Sequence, residues 1–440
     1  MGLIRMAKTE YAVIEAQPTF ENLIFDKPFQ IGKGIIKEIV LATIKAKISD
    51  EKKIGEGIGQ VLYSDIWSSP ENTLAENLSL SLKDNPETKH FVMSGKMENF
   101  STGVCKEIKG SRFINPMQFY LDIRKTLFEK GKNSGLNGLT SVLAVSPIDL
   151  ALWDAFGKIK NKSTYSCLDE LTMQESLEDR LGMGYKNLQF SDFFRKPNRE
   201  VRLLYTLAIN DLLSELEREI KENGIDAVKI KLQGSVEEDV VRVRDVERVF
   251  SSLGIENYVL TLDPNEKYQG AGHLTDFLKK LKAESKKALE NVSYIEQPTS
   301  RIFDKSIHDM RELADFRIPV IIDEGAYNHE TLVEMKNLGW NGIALKPTAK
   351  TFSETLLELA IARRNNWHIC VQDLTNPSVA LVHHLNFIRR TILKNVPAEA
   401  NARQYCYSSK ERLPQEYWGL YEVRNGRIDT RVIRGKGLGY

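Results

Sequence analysis

The chain has 440 residues, long for one core, so two domains are expected, and its 61 basic and 60 acidic residues leave a formal charge of +1. Such a balance creates no global field for nucleic acid or an acidic membrane, so neither is an expected partner. Cys105, Cys167, Cys370 and Cys406 are scattered without a C-x-x-C pair, the start MGLIRMAKTEYAVIEAQ lacks an apolar signal core, and no run approaches the roughly 18 apolar residues of a membrane helix; a cytoplasmic protein with free thiols is expected.

From about Tyr11 to Val61 the chain is strand-like, with IIKEIVLATIKAKISD followed by IGEGIGQVLY, and an antiparallel meander is predicted. Gly55, Gly57 and Gly59 lack the G-x-G-x-x-G spacing of a dinucleotide site and read as a turn between strands. Helical spacing runs from about Asn72 to Gly157. In SPIDLALWDAFGKIKNK, Ser146 is placed to cap a helix and Pro147 to occupy its first turn, while Ile148, Ala151, Leu152 and Ala155 share one face. The basic stretch RKPNREVR has no interleaved aromatics and reads as solvated surface.

From about Asp192 to Cys406 strands and helices alternate. The candidate strands are LLYTLAI, DAVKIKL, YVLTLDP, VSYIEQP, PVIIDEG, NGIALKP, HICVQDL and ARQYCYS. This alternation predicts an α/β fold with a parallel sheet, and eight strands favour closure into a barrel. The tail YEVRNGRIDTRVIRGKGLGY reads as a hairpin turning at Asn425 and Gly426 that returns to the first domain.

Five of these runs are apolar throughout and end in charge: Lys229 and Lys231, then Asp263, Glu296, Asp323 and Lys346. Gaps of about 23 to 33 residues after the lysine pair suit successive β/α units, and the C-terminal strand ends of such barrels carry the chemistry. Residues i and i+2 face the same way, so Lys229 and Lys231 enter the interior together or lie together on a solvated edge. Buried side by side they need opposite charge, and burial lowers lysine pKa values towards the range useful for proton transfer. Asp263, Glu296 and Asp323 would supply that charge. Three converging carboxylates in turn need a hard cation, and oxygen-only ligation selects Mg²⁺ or Mn²⁺ over zinc.

In order and kind these motifs resemble the enolase superfamily, in its mandelate racemase/muconate-lactonizing-enzyme-like branch: K-x-K at Lys229 and Lys231, D-x-N at Asp263 and Asn265, E-x-P at Glu296 and Pro298, D-E at Asp323 and Glu324, and the strand-end Lys346. SPIDLALWDAFGK resembles the helix that closes that family's capping domain, and GKGLGY its glycine-rich ending. The resemblance implies a modified TIM barrel, (β/α)7β, over residues 166–406, with an α+β capping domain formed by residues 1–165 and the returning 407–440. It implies Mg²⁺-assisted removal of the proton α to a substrate carboxylate, giving an enediolate. Lys231 and Lys346 would be the acid/base groups on the two faces of the substrate. Lys229 would hold the carboxylate or enediolate, and Asp263, Glu296 and Asp323 would hold the metal, with Asn265 and Glu324 supporting them. A homo-oligomer acting on a small carboxylate is expected.

Some assignments stay open at this level. Asp323 and Glu324 are adjacent and point to opposite sides of a strand, so one is an inward ligand; the resemblance favours Asp323. Asp373 either stands beside the distal lysine or braces its loop. Arg403, alternating with Glu399 and Asn401, either binds a second anionic group of the substrate or makes a salt bridge to the capping domain. His368 comes too early on its strand to join an Asp-His dyad, and His383 and His384 read as surface or packing residues. Lysines on both faces favour a racemase or epimerase of a dipeptide or amino-acid derivative. Acid-sugar dehydration, cycloisomerisation and a non-catalytic binding protein on the same fold are the alternatives.

Overall fold

The computed structural model describes residues 9–31, 34–69, 92–182, 185, 188–393 and 396–440; the helical reading of residues 72–91 lies outside them. Strands β1 (Tyr11–Ile31), β2 (Gly34–Ser49) and β3 (Ile54–Tyr63) form the expected meander, extended by β4 (Arg112–Phe113) in the order β3-β2-β1-β4. Against it pack α1 (Val92–Glu107), α2 (Pro116–Asn133) and α3 (Gly138–Ile159).

Gly55, Gly57 and Gly59 lie within β3, not in a turn: a Cβ on each would stand 2.5, 2.1 and 1.9 Å from the carbonyl oxygens of Ala155, Ala151 and Pro147. They are the flat face on which α3 rests. That helix begins at Gly138, capped by Asn137, whose Oδ1 accepts from the Thr140 amide at 2.8 Å, so Pro147 lies mid-helix. An interior proline forfeits one helical hydrogen bond. The near-complete burial of α3 offsets this, and the Ser146 hydroxyl, free of capping duty, donates to the Thr348 carbonyl at 2.6 Å, joining the cap to the barrel. By length and composition α3 would suffice to cross a membrane, yet its apolar window is wholly buried in protein.

The second unit is a parallel sheet of seven strands, β6 (Tyr205–Leu207), β7 (Ala227–Lys231), β8 (Val259–Asp263), β9 (Val292–Glu296), β10 (Val320–Ile322), β11 (Gly342–Leu345) and β12 (His368–Val371), in sequential order. The eighth position is held by extended chain at Ala398–Glu399: the Glu399 amide donates to Val371 O at 3.1 Å on one side, and Leu204 N donates to Ala398 O at 2.9 Å on the other. ARQYCYS, expected to be this strand, is instead a helical turn, Ala402–Tyr405, leading into a 3-10 segment. The aromatic and small residues of ARQYCYS fit either geometry. The fold is thus an α/β barrel of the TIM type beneath an N-terminal capping sheet.

The tail does turn at Asn425 and Gly426, with φ of +50° and +68°, but its strand β13 (Arg427–Asp429) pairs with β5 (Glu200–Arg202) below the barrel. Its last residues reach the cap, where Leu438 N donates to Asp154 Oδ1 at 2.7 Å and Thr164 N to Gly437 O at 2.8 Å, and earlier in 407–440 Ser408 N donates to Asp26 Oδ2 at 2.8 Å. All four cysteines are unpaired and buried.

Candidate active site

Lys229 and Lys231 leave β7 on its inward face, both buried. The Lys229 ammonium lies 2.8 Å from Glu296 Oε1, 2.6 Å from Glu399 Oε1 and 3.0 Å from Asp263 Oδ2. Lys231 Nζ contacts Asp263 Oδ2 and donates to Asn265 Oδ1 at 3.0 Å. Four strands further round, Lys346 Nζ lies 3.1 Å from Asp323 Oδ2 and 5.1 Å from the centre of the Trp67 ring, which the cap extends into the mouth.

Backbone strain gathers at these strand ends. Asn265, Glu266, Gln297 and Thr375 have φ of +43°, +69°, +31° and +61°, conformations that non-glycine residues adopt only where their surroundings enforce them. Gln297 shows the enforcement: its Oε1 accepts from the amides of Asp323 at 2.9 Å and Gly325 at 3.1 Å. Because β10 ends at Ile322, Asp323 and Glu324 escape strict alternation, and both are buried by the site. Asp323 lines the cavity; Glu324 Oε1 accepts from Asn265 Nδ2 at 3.4 Å.

Burial alone would lower the pKa of Lys229, but Asp263, Glu296 and Glu399 outweigh it and hold the group well above the ordinary lysine value. Lys346 is likewise raised, burial being outweighed chiefly by Asp323. The lowering expected from burial is therefore reversed at Lys229 and Lys346, where carboxylates pack directly on the ammonium. For the carboxylates, burial and then Asp263 push Glu296 up, and burial and then Asp323 push Glu324 to about 7.

The residues fit a divalent cation. Asp263, Glu296 and Asp323 offer only hard oxygen donors, and Asp323 Oδ1 is buried without a hydrogen-bond donor. Around the mouth six buried carboxylates, those of Asp263, Glu296, Asp323, Glu324, Asp373 and Glu399, face four buried ammonium groups, those of Lys229, Lys231, Lys346 and Lys350. Glu324 also lies 3.8 Å from the Arg301 guanidinium.

Among the described residues the one group whose potential ligand atoms all lie within 4.8 Å of each other is not this one but His329, Glu330 and Glu354. It lies where α2 meets the barrel helices and is already neutralised. Arg124 forms paired hydrogen bonds to Glu330 at 3.1 and 2.8 Å and one to Glu354 at 3.1 Å, and Arg180 Nε donates to His329 Nε2 at 3.0 Å. With Nε2 accepting, Nδ1 is the donor to Glu354 at 2.6 Å, so neither ring nitrogen is free for a metal.

A cavity of about 60 Å³ occupies the mouth, lined by Lys229, Lys231, Asn265, Glu296, Asp323, Lys346, Asp373, Glu399 and Asn401 below and by Phe25, Phe29, Ile36 and Ile39 of the β1–β2 hairpin above. Asp373 Oδ2 accepts from the amides of Asn376 at 3.2 Å and Asn401 at 2.9 Å, the bracing geometry, although the side chain also lines the cavity. Arg403 is placed elsewhere: the helical turn at Ala402 breaks the alternation with Asn401, and its guanidinium forms two bonds to Glu219, at 2.9 and 3.1 Å, on a barrel helix rather than the cap. His383 and His384 are buried packing residues, not surface ones.

Four residues at the mouth were absent from the sequence-level site. In the sequence Glu399 stands out only through its alternation with Arg403. Lys350 Nζ donates to the Asp323 carbonyl at 2.8 Å, and its one-turn spacing from Lys346 was an available signal. Gln372 takes the inward position beside Asp373 and donates to Glu296 Oε2. Trp67 reaches in from the cap, with no local sequence cue.

Residues 211–440, just over half of the chain, match the enolase C-terminal domain-like family. No curated protein matches by sequence. Among solved structures, the chain is similar to muconate lactonizing enzyme from Pseudomonas fluorescens complexed with muconolactone (16% identity, TM-score 0.62, covering 97% of this chain and 96% of that one). It is similar to dipeptide epimerase from Enterococcus faecalis V583 complexed with Mg and the dipeptide L-Leu-L-Tyr (16%, 0.62, 97% and 99%). It also resembles N-succinyl Arg/Lys racemase from Bacillus cereus ATCC 14579 (18%, 0.61, 97% and 95%). At these identities the structural likeness speaks for the fold, and with the family match and the ordered strand-end residues it places the chain in the enolase superfamily, in the mandelate racemase/muconate-lactonizing-enzyme-like branch.

Proposed function

We propose that this protein is a Mg²⁺-dependent enzyme that removes the proton α to a substrate carboxylate and returns it to the other face, as a racemase or epimerase of a dipeptide or amino-acid derivative. The observation that carries this reading is the placement of Lys231 and Lys346 four strands apart on one cavity whose floor is carboxylate. When bound by Asp263, Glu296 and Asp323, the cation would supply positive charge where the substrate oxygens become negative.

The remaining work falls to the chain. Lys346, held protonated beside Asp323, is suited to deliver a proton, and Lys231 to take one from the opposite face. Lys229, in contact with three carboxylates, acts as a fixed charge. Asn265 orients the Lys231 ammonium, and the positive-φ residues stiffen the strand ends on which these groups sit.

The apolar roof of Phe25, Phe29, Ile36 and Ile39 supports an amino-acid derivative over a polyhydroxylated sugar acid, whose hydroxyls would lose water there without replacement bonds. A cavity of about 60 Å³ is far below the roughly 300 Å³ or more that metabolites occupy. The hairpin tip, tied to the barrel by Lys27 at 2.8 Å from Asp211, would therefore withdraw to admit substrate. Buried free thiols support a cytoplasmic setting.

The test is deuterium incorporation at the α-carbon, with Mg²⁺ in heavy water, across dipeptides, N-acylamino acids and sugar acids. Exchange without loss of water is expected, with dipeptides or N-acylamino acids as the responsive panels. Loss of water would make the protein a lyase, and no exchange with any panel would remove the support for this reaction.

A further inference from the structure

At the opposite end of the barrel from the carboxylates, a cleft of about 870 Å³ is lined by Arg195, Arg199, Arg202, Arg389, Arg427 and Arg431, with Glu200 as its one acidic residue. In a chain of net charge +1 this is a local concentration, within the volume range of ligand sites. The arginines come from three separate segments, and the fold places them where they repel. β13 pairs with β5 so that Arg427 lies directly opposite Arg202, a cross-strand juxtaposition of like charges that destabilises a sheet.

Protein groups answer only part of this charge. Arg202 Nε pairs with Asp226 at 2.9 Å and Arg431 with Asp429 at 2.9 Å. Arg389, only 7% exposed, donates to the carbonyls of Thr430 and Ile433, and its Nε is buried without a partner. Arg195, Arg199 and Arg427 form no ion pair with any described residue. Guanidinium groups present paired donors that match phosphoryl and carboxylate oxygens.

We propose that this cleft binds a small polyanion carrying two or more phosphoryl or carboxylate groups. Among the described residues no aromatic side chain lines it, so they offer no platform for stacking a nucleobase, and its charges converge on one concavity instead of following a line as along a nucleic-acid backbone. The stretch RKPNREVR, which reads as solvated surface in the sequence, supplies one wall.

The test is calorimetric titration of the full chain with inorganic tripolyphosphate and, separately, citrate, at about 0.15 M salt and without divalent cations. The carboxylate-rich mouth then has no attraction for either probe. Saturable 1:1 binding of at least one probe is expected, weakened about tenfold or more by the pair Arg199→Ala and Arg427→Ala. Both residues are exposed, and a melting temperature that does not fall will show that the variant is folded. The stronger probe identifies the phosphoryl or the carboxylate source. No saturable binding, binding that the substitutions leave unchanged, or tighter binding of a single-stranded oligonucleotide that grows with its length would each overturn the proposal.

Discussion

Two ionic clusters in this molecule look alike by composition and differ in how their acceptors are satisfied. At the junction of cap and barrel, His329, Glu330 and Glu354 are met by Arg124 and Arg180, whose guanidinium groups stay charged at any working pH and fill the available acceptor positions. At the mouth, Asp323 Oδ1 and Glu324 Oε2 are buried without donors. Closeness of potential ligand atoms alone would choose the junction as the metal centre. Unused acceptors point instead to the mouth, the proposed metal site, because a cation adds most where buried oxygens remain unsatisfied.

The largest expected effect separates chemistry from support. Lys231→Ala and Lys346→Ala should each lower α-proton exchange by a factor on the order of 10³, since general acid–base groups contribute about 10² to 10⁴. Arg180→Ala, at the junction, should leave the rate within about twofold. A comparable loss in all three variants, read by mass spectrometry, would erase the functional distinction between the clusters. Next in size, Arg124→Ala leaves Glu354 buried without its guanidinium and should cost about 3–5 kcal/mol of stability, measured by urea denaturation, with Mg²⁺ affinity unchanged.

The strand-end charges were legible because a parallel strand buried on both faces is an apolar run, so a charge at its end stands out and equal spacing ties several to one rim. Lys229, Lys231, Glu296, Asp323 and Lys346 all line the cavity for that reason, and Asp263 touches both β7 lysines from beneath it. Trp67 was invisible because its place depends on how a separate domain docks, which no local period records. Glu399 sits in a short extended stretch beside the more strand-like ARQYCYS, which the chain folds into a helical turn. Pro147 and the β3 glycines misled for a related reason: propensity describes an isolated segment, and here the packing of α3 on β3 overrides it.

Metal addition sharpens the comparison by a smaller amount. At 100 times its dissociation constant Mg²⁺ should stabilise the protein by about 2.7 kcal/mol, seen as a raised melting temperature. Asp263→Asn should abolish the shift, whereas Glu330→Gln should preserve it. The opposite pattern would move the metal to the junction.

The smallest effect is a difference of sign. In Glu354, burial would raise the pKa, but the hydrogen bond from His329 and the charge of Arg124 outweigh it and hold the group at about 2, below the ordinary 4.5. Between these values the unfolded chain binds the proton and the native chain does not, so the junction's contribution is fully present above about pH 4.5 and is lost as pH falls towards 2. Glu324 runs the other way. Raised to about 7 by burial and Asp323, it is protonated in the native, metal-free protein while the unfolded chain is ionised, so its contribution is present below pH 4.5 and lost as pH rises towards 7. Each group should bend the stability curve by on the order of 1 kcal/mol per pH unit within its window. Glu354→Gln should flatten the acid arm and Glu324→Gln the arm approaching neutrality. Because a cation at the mouth favours the ionised carboxylate, Mg²⁺ should suppress the second slope and leave the first intact, and equal suppression of both would mean that the two clusters are not electrostatically distinct.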